Sequence, residues 1–484
     1  MQPLWKHQAT AIQLGDTLKC LALFLEQGCG KTRTLIEILR RIYARAGKIR
    51  PTLIFAPKIV CRKWKEEFAK YSKIHQSRIF VLEGSGVQRL ALLNKAIELY
   101  GTEFIIVTNY ESVEMNKLYD RLIEVGFEVI GWDESQRLRS PSSVRAKRMI
   151  PIADRAEHKY LLSGTPVLDG MGMDVYMQFR LMDGGESFGQ NYFSFRNTYF
   201  FDKNAGMPKA KHFPDWKPNP RMHAEFQRRL DTKSIRVLKK DCLDLPPLIR
   251  KEVYDEFTPE QKKHYNAMSK EFITWLDSVN DMPRAAIAQL AITKSLRLQQ
   301  IVTGFVNDEE GNAVRIPCNR TTVLAQLLED IKPTDKVIIW AVHQENYKMI
   351  AEVCDKVRRK YVQLHGVVKG SDYGVKDKDV YSHVVKEFCK NPDVTVMIAN
   401  QAAGGVGIDL VEAKYAIYYS KNFSLENDMQ SEARNYRGGS EMHDTVIRID
   451  ITTPATIDEV INRRLQGKLD GGSVLLDLRE TLAG

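Results

Sequence analysis

Ten residues, Leu23 to Thr32 (LFLEQGCGKT), carry the strongest chemical signal in the chain. Apolar Leu21–Leu25 predicts a buried strand, and the glycines after it a tight turn. The periodic run Thr34, Leu35, Ile38, Leu39, Ile42 predicts a helix opening at Lys31. A strand, a glycine turn and a helix N-terminus together form an anion site, because backbone N–H groups converge there and the helix dipole adds positive charge. Gly28 and Gly30 let the backbone approach without a Cβ in the way. Lys31 can reach the β- and γ-phosphates of a nucleotide, and the Thr32 hydroxyl can hold Mg²⁺. A second signal is the Asp133-Glu134 pair, placed at a strand end by Val129-Ile130-Gly131-Trp132. An Asp there can hold Mg²⁺ through its water shell, and the adjacent Glu can orient and deprotonate a water attacking a γ-phosphate. A third strand ends in Ser163-Gly164-Thr165-Pro166. Each pattern arises by accident; the three in order arise by accident far less often.

Further polar groups gather later. Gln430, Arg434 and Arg437 fall at i, i+4 and i+7, one face if the segment is helical. Two arginines so placed are either a solvated surface or a fork aimed at a phosphate on another domain. Near the start, the Gln8 amide has the donor and acceptor needed to read an adenine edge, and its place one helix before the glycine turn is its chief merit.

The elements that must position these groups alternate. Apolar strands are expected at Thr52–Ala56, Arg78–Leu82, Phe104–Thr108, Val129–Trp132 and Lys159–Leu162, with helical periodicity between them. Such alternation predicts an α/β fold, a parallel sheet covered on both faces, with functional residues at the carboxyl ends of strands. From Val167 to about Pro317 the alternation stops. One helical block, Met173 to Leu243, carries Tyr192, Phe193, Phe195, Tyr199, Phe200, Phe201 and Trp216, which read as its own core more readily than as base-stacking groups. Leu245-Pro246-Pro247 reads as a rigid linker, and Thr258-Pro259-Glu260-Gln261 as a capping box opening a second helical block. Strands return at Lys336–Val342, Lys360–Leu364, Val394–Ala399, Tyr415–Tyr419 and Thr445–Ile451, implying a second parallel sheet. Thr456-Ile457-Asp458-Glu459 opens a last helix.

The chain of 484 residues allows two or three domains, and 43% apolar with 27% charged residues is ordinary globular composition. Net charge is +10, and Lys203 to Lys240 holds eleven Lys and Arg against three acids. That block suits a polyanion partner or a solvated loop equally well. The seven cysteines (20, 29, 61, 242, 318, 354, 389) are scattered and never at C-x-x-C spacing. This argues for a reducing compartment without a disulfide framework or zinc site. With no apolar run able to span a bilayer and no signal-peptide core, a cytoplasmic protein without a membrane partner is expected.

Taken together, these residues resemble the Swi/Snf family of ATP-driven DNA motors within helicase superfamily 2. Leu4 to Gln8 resembles the adenine-reading segment, LEQGCGKT motif I, Leu53 through Pro57 to Trp64 motif Ia, DESQ the acidic motif and LLSGTPVLDG motif III. VLKKDCLDLPP followed by FTPEQKKHY, then AAGGVGIDL and QSEARNYR, resemble the family's linker and motifs V and VI.

The resemblance implies two RecA-like lobes with helical insertions. These would be lobe 1 at 1–168, a basic insertion with linker and second protrusion at 169–320, lobe 2 at 321–455, and a C-terminal helix at 456–484. ATP with Mg²⁺ would be held by Gln8, Gly28, Cys29, Gly30, Lys31, Thr32 and Asp133, with Gly407 and Asp409 near the ribose. Gly404 and Gly405 would allow close backbone approach. Glu134 would activate water, Arg434 and Arg437 would be arginine fingers, and Ser163, Gly164, Thr165 and Gln430 would couple nucleotide state to movement. Pro57, Lys58, Thr108, Asn109, His365 and Gly366 would contact DNA.

Departures are Leu25 where a strict Walker pattern has glycine, Gln136 where the family usually has histidine, and Ala341-Val342 where a Ser-Gln pair is common. Phe423-Ser424-Leu425 and Gly438-Gly439-Ser440 also differ from the commonest forms. None removes a catalytic group. The expected activity is ATP-driven translocation on double-stranded DNA, forked or branched DNA included. The alternatives are a strand-separating or annealing helicase and a non-catalytic nucleic-acid binder that has kept the fold. A compact bacterial or viral motor without appended modules is the expected form.

Overall fold

Every residue of Leu21–Leu25 is buried, which no half-exposed strand allows. In the computed structural model this run is β1 (Cys20–Leu25), inside the first of two parallel sheets. The structure describes residues 3–167, 172–206, 214, 216–242, 244–278, 284–308, 310–404, 408–467 and 481. The chain divides into two units, Met1–Leu243 and Asp244–Gly484.

In the first unit β2 (Thr52–Ala56), β3 (Ile79–Val81), β4 (Ile105–Asn109), β5 (Val129–Asp133) and β6 (His158–Leu162) follow β1. A short antiparallel hairpin, β7 (Phe200–Asp202) with β8 (Trp216–Pro218), comes next, then β9 (Ser234–Val237). The sheet order is β3-β4-β2-β5-β6-β1-β9, with every pairing parallel. The expected strands therefore form within a residue or two of their predicted ends. β9 was not foreseen: four residues in a charged helical block give too short an alternation to read. It pairs with β1 in the register Leu25↔Val237 and covers what would be an exposed sheet edge. The insertion's aromatics do form a core. Phe188, Phe195, Tyr199 and Phe200 are buried in edge-on and tilted contacts with one another and with Phe226. That core is continuous with Phe24, Phe55 and Trp132 of the sheet, whereas Phe193 and Phe201 stay exposed.

The second unit opens with β10 (Leu248–Tyr254), directly after the Pro246-Pro247 pair. A hairpin, β11 (Phe305–Asn307) with β12 (Ala313–Arg315), is followed by β13 (Lys336–Ala341), β14 (Lys360–Leu364), β15 (Val394–Asn400), β16 (Ala413–Tyr418) and β17 (Val446–Thr452). The order β10-β17-β16-β13-β15-β14 is again wholly parallel. β10 was also missed, because its exposed charged residues hide the alternation. The two faces of this sheet follow from period-2 geometry. Val337, Ile339 and Ala341 of β13 pack with Leu324, Leu328 and Ile350, while Ile338 and Trp340 pack with Val384 and Phe388 on the other side. The capping box at Thr258 forms as read: Gln261 N donates to Thr258 Oγ1 and Thr258 N donates to Gln261 Oε1, each at 3.2 Å, at the start of helix Pro259–Ser278. Arg320, fully buried, donates to Asp255 and Asp458 and so ties the segment after β10 to helix Ile457–Leu465. Breaking such a buried pair costs about 3–5 kcal/mol.

Candidate functional site

The order β5-β6-β1 brings three carboxyl ends side by side: Leu25 leading into the glycine turn, Asp133 ending β5 and Ser163 following β6. The turn ends at Gly30, the left-handed N-cap (φ 79°) of helix Lys31–Ala46. A side chain there meets an obstacle as well as strain: a Cβ on Gly30 lies 2.1 Å from Gln8 Nε2. Gln8 is buried, with Oε1 accepting from Trp5 N at 3.0 Å, and His7 bonds the Cys29 carbonyl at 2.9 Å. The segment around Gln8 therefore packs directly on the glycine turn, as its spacing suggested. Lys31 Nζ donates to the Leu25 carbonyl at 3.1 Å and lies 3.2 Å from where a Gly164 Cβ would sit. A side chain at Gly164 would therefore crowd both the lysine and Gln27, whose Cγ and backbone N would lie 3.1 and 3.2 Å away.

Asp133 is buried and held by Trp64, whose indole N–H donates to Oδ2 at 3.0 Å. Burial and the neighbouring Glu134 push the Asp133 carboxyl up to about 6, against the pull of Lys31 and the Trp64 N–H. Glu134 takes a left-handed backbone conformation (φ 55°), uncommon for a residue with a side chain. Gln136, which stands where the resemblance implied a histidine, links the acidic pair to the strand end beside it. Its Nε2 donates to Glu134 Oε2 at 2.7 Å, and its Oε1 accepts from Ser163 Oγ at 2.7 Å. Ser163 Oγ also accepts from Thr165 N at 3.1 Å. One amide thus joins the acidic pair to the Ser163-Gly164-Thr165 segment through both its halves, using the donor and acceptor that a single glutamine supplies. The Thr165 hydroxyl is buried without a hydrogen-bond partner.

The residues fit a divalent cation of the Mg²⁺ kind. A buried carboxylate with a raised pKa beside a second carboxylate favours a nearby cation, and the Thr32 hydroxyl is partly exposed at the head of the neighbouring helix. No cluster of three or more His, Cys, Asp or Glu suited to a metal occurs among the described residues. Mg²⁺ tolerates so few protein ligands because it keeps waters and takes phosphate oxygens.

In the second unit the predicted helical face does not form. The helix runs Leu425–Glu432, and Arg434 and Arg437 lie beyond its end. Contacts with the segment before β16 override helical continuation. Leu410 N donates to the Arg434 carbonyl at 3.0 Å and Asn435 Nδ2 to the Ala413 carbonyl at 3.1 Å. Arg434 is buried, donating through Nε to the Gln430 carbonyl at 2.8 Å and through a terminal nitrogen to the Ile408 carbonyl at 3.0 Å. Arg437 is half-buried and paired with Asp409. Gln430 is buried and bonds Glu426 at 3.2 Å. The helix is fixed from β17 by Arg448, which pairs with Asp428 and Glu432 and stacks 3.9 Å over Tyr418. Sequence reading passed over Arg448, since a lone arginine in a strand carries no spacing signal. Gly404 ends helix Gln401–Gly404, and Gly405 and Gly407 lie outside the described residues.

The residues expected to contact DNA divide. Thr108 is buried against Ser112 Oγ at 2.6 Å. Asn109 is buried, bonding Arg89, Ser112 and Glu111. His365 is buried, stacked on Tyr347 at 4.0 Å and bonded to Gln363 at 2.8 Å, and burial pulls its imidazole down to about 4. Pro57 is buried at the end of β2, while Lys58 and Gly366 are exposed.

Two parallel α/β sheets, the first with a glycine turn, lysine and acidic pair at adjacent strand ends, define a RecA-like nucleotide-binding architecture. Residues 13–304, more than half of the chain, match the SNF2-related domain, and the chain belongs to that family. Putative protein p41 of Acyrthosiphon pisum secondary endosymbiont phage 1 is 24% identical over 463 residues, 93% of each chain. The mouse DNA annealing helicase and endonuclease ZRANB3 is 24% identical over 419 residues, 86% of this chain and 35% of its own length. This chain thus spans nearly all of the phage relative and about a third of the mouse one. A solved Sulfolobus solfataricus SWI2/SNF2 ATPase core, in complex with dsDNA, covers 99% of this chain and 97% of that one, at 21% identity and a TM-score of 0.44. The fold assignment stands on the strand order alone. No described helix is long and apolar enough to cross a membrane.

Proposed function

We propose that this protein is a motor that hydrolyses ATP to translocate on double-stranded DNA, remodelling DNA or protein–DNA complexes. The observation that carries the reading is the Lys31–Asp133–Glu134–Gln136–Ser163 constellation at three adjacent strand ends, on a chain of the SNF2-related family. Lys31 and the turn's N–H groups would grip the β- and γ-phosphates, and Gln8 would read the adenine. Thr32 and Asp133 would hold Mg²⁺, which offsets charge on the phosphates. Glu134 orients and deprotonates the attacking water, with Gln136 fixing its carboxylate. Arg437, from the second unit, would release Asp409 and stabilise the γ-phosphate, while Arg434 holds the segment bearing it. Asp409 would then serve the ribose, and Gln430 the coupling. Lys58 and the Gly366 backbone are the more accessible DNA contacts; Pro57, Thr108, Asn109 and His365 would shape the rim behind them. The functional division we favour keeps 1–168 and 321–455 as ATP-binding and helicase C-terminal lobes, with 169–320 as the insertion and 456–484 as a terminal helix.

The test is ATP turnover with duplex DNA, single-stranded DNA and RNA. Stimulation by RNA equal to that by duplex sinks the duplex reading. Lys31→Ala and Glu134→Gln should lose turnover and keep DNA affinity; wild-type protein without turnover would instead be a non-catalytic binder. The name of the mouse relative favours strand annealing as the second reading. A fork assay with a trapped product separates annealing or unwinding from plain translocation.

A further inference from the structure

Cys29 lies inside the glycine turn and is fully buried. Its sulfur is 3.4 Å from the sulfur of Cys242, a residue 213 positions later that ends the short helix Lys239–Cys242. The segment leading to Cys242 is strapped to the turn by other bonds. β9 pairs with β1 up to Leu25↔Val237, Glu26 N donates to the Val237 carbonyl at 3.0 Å, and Lys239 N donates to Glu26 Oε2 at 2.6 Å. On the far side His7 holds the Cys29 carbonyl. The two sulfurs are therefore kept together by backbone fixed on both sides. The other thiols that bond do so to oxygen and not to sulfur: Cys61 to the Ala56 and Pro57 carbonyls, Cys318 to the Val302 carbonyl, Cys389 to the Asp409 carbonyl and the Glu412 carboxylate. All seven cysteines are free thiols.

We propose that Cys29 and Cys242 form an oxidation site, at which a low-molecular-weight disulfide such as oxidised glutathione converts the two thiols into one intramolecular disulfide that clamps the phosphate cradle. Cys242 is the partly exposed member and reacts first. Its thiolate attacks one sulfur of the small disulfide, whose S–S bond breaks and expels one thiolate. Cys29 then loses its proton and attacks the Cys242 sulfur, expelling the second. Two protein thiols are oxidised, one small disulfide is reduced to two thiols, and the two protons pass to the departing thiolates. The cross-link closes a covalent ring between the turn and residues 239–242, so the turn can no longer adjust to a phosphate. Burial raises both thiols above the usual range, so the conversion quickens as pH rises. The effect on turnover rests on the ATPase reading; the cross-link does not.

The experiment treats the full chain with oxidised glutathione in alkaline buffer, blocks remaining thiols, digests without reductant and maps linked peptides by mass. ATP turnover is measured alongside, before and after dithiothreitol. The expected result is a peptide joining Cys29 to Cys242, a fall in turnover that tracks the linked fraction, and full recovery on reduction. Cys242→Ser should keep its turnover under the oxidant. Cross-links elsewhere, or glutathione adducts on other cysteines without this link, overturn the oxidation site. A complete 29–242 link with undiminished turnover overturns the clamp. Untreated protein without turnover refutes the ATPase reading instead, and the peptide map still decides the site.

Discussion

Trp64 donates its indole N–H to Oδ2 of Asp133 at 3.0 Å, with both side chains buried. Trp64 lies on helix Cys61–Tyr71, which starts four residues after Pro57 at the end of β2. The carboxylate proposed to hold Mg²⁺ is thus fixed by the same helix that follows the proposed DNA rim. A hydrogen bond to a charged group is worth about 1.5–3 kcal/mol. Trp64→Phe keeps an aromatic six-membered ring and removes the donor, and it should raise the Mg²⁺ concentration for half-maximal turnover roughly tenfold. A Mg²⁺ titration of turnover that leaves the midpoint unmoved would show that the bond only fills space.

The raised pKa of Asp133 has two consequences of opposite sign. Turnover should fall as pH drops through about 6, because the protonated acid no longer holds the cation. Stability runs the other way. A carboxyl with a folded pKa above its unfolded value stabilises the fold at low pH and ceases to do so as pH rises through the folded value. Asp133→Asn should therefore melt higher than wild type at pH above about 6, with the gain vanishing in acid, while turnover is lost. Thermal melts across pH check this.

Gln136→Ala should slow turnover roughly tenfold, since about 1–1.5 kcal/mol of hydrogen bonding to Glu134 and Ser163 is lost from the acidic pair. DNA affinity should be little changed. Gln136→His restores only one ring donor and one acceptor in a different geometry, so partial recovery is expected. Steady-state kinetics paired with DNA-binding isotherms distinguish this from a folding defect.

The two arginines should part company. Arg437 is half-buried in a pair with Asp409, and such pairs add at most about 1 kcal/mol to stability. Arg437→Ala should melt within a few degrees of wild type yet lose turnover by about 10³-fold or more, the scale of an arginine finger. Arg434→Ala leaves the buried Gln430 carbonyl and the partly buried Ile408 carbonyl without this donor and should cost about 1–3 kcal/mol in unfolding free energy. Equal destabilisation by both would remove the distinction drawn between them.

Gly30→Ala combines a positive φ with a Cβ directed at Gln8. It should cost about 1–2 kcal/mol and weaken nucleotide binding, measurable by denaturation and by fluorescent-nucleotide titration.

Much of this was legible because strand periodicity is local. Leu21–Leu25 and Val394–Ala399 announce themselves by unbroken apolar runs, and their polar endings identify the residues at the strand ends. What stayed hidden is set by tertiary contacts. β9 and β10 are short or charged segments that become strands because β1 and β17 offer unpaired edges. The segment after Glu432 leaves the helix because backbone groups of Ile408, Leu410 and Ala413 bind it. Thr108 and Asn109 looked accessible at a strand end, but in the fold Ser112 and Arg89 already occupy them. The Cys29–Cys242 contact spans 213 residues with no local trace.

The return of the chain to lie along β1 at Ser234–Val237 bears on biosynthesis. A ribosome that has released the chain only as far as the end of β6 holds a sheet with a bare hydrophobic margin. Roughly seventy more residues must emerge before that margin is sealed. During this interval the nascent protein presents an adhesive strand, so chaperone engagement and sensitivity to translation speed should concentrate between the appearance of β6 and that of β9.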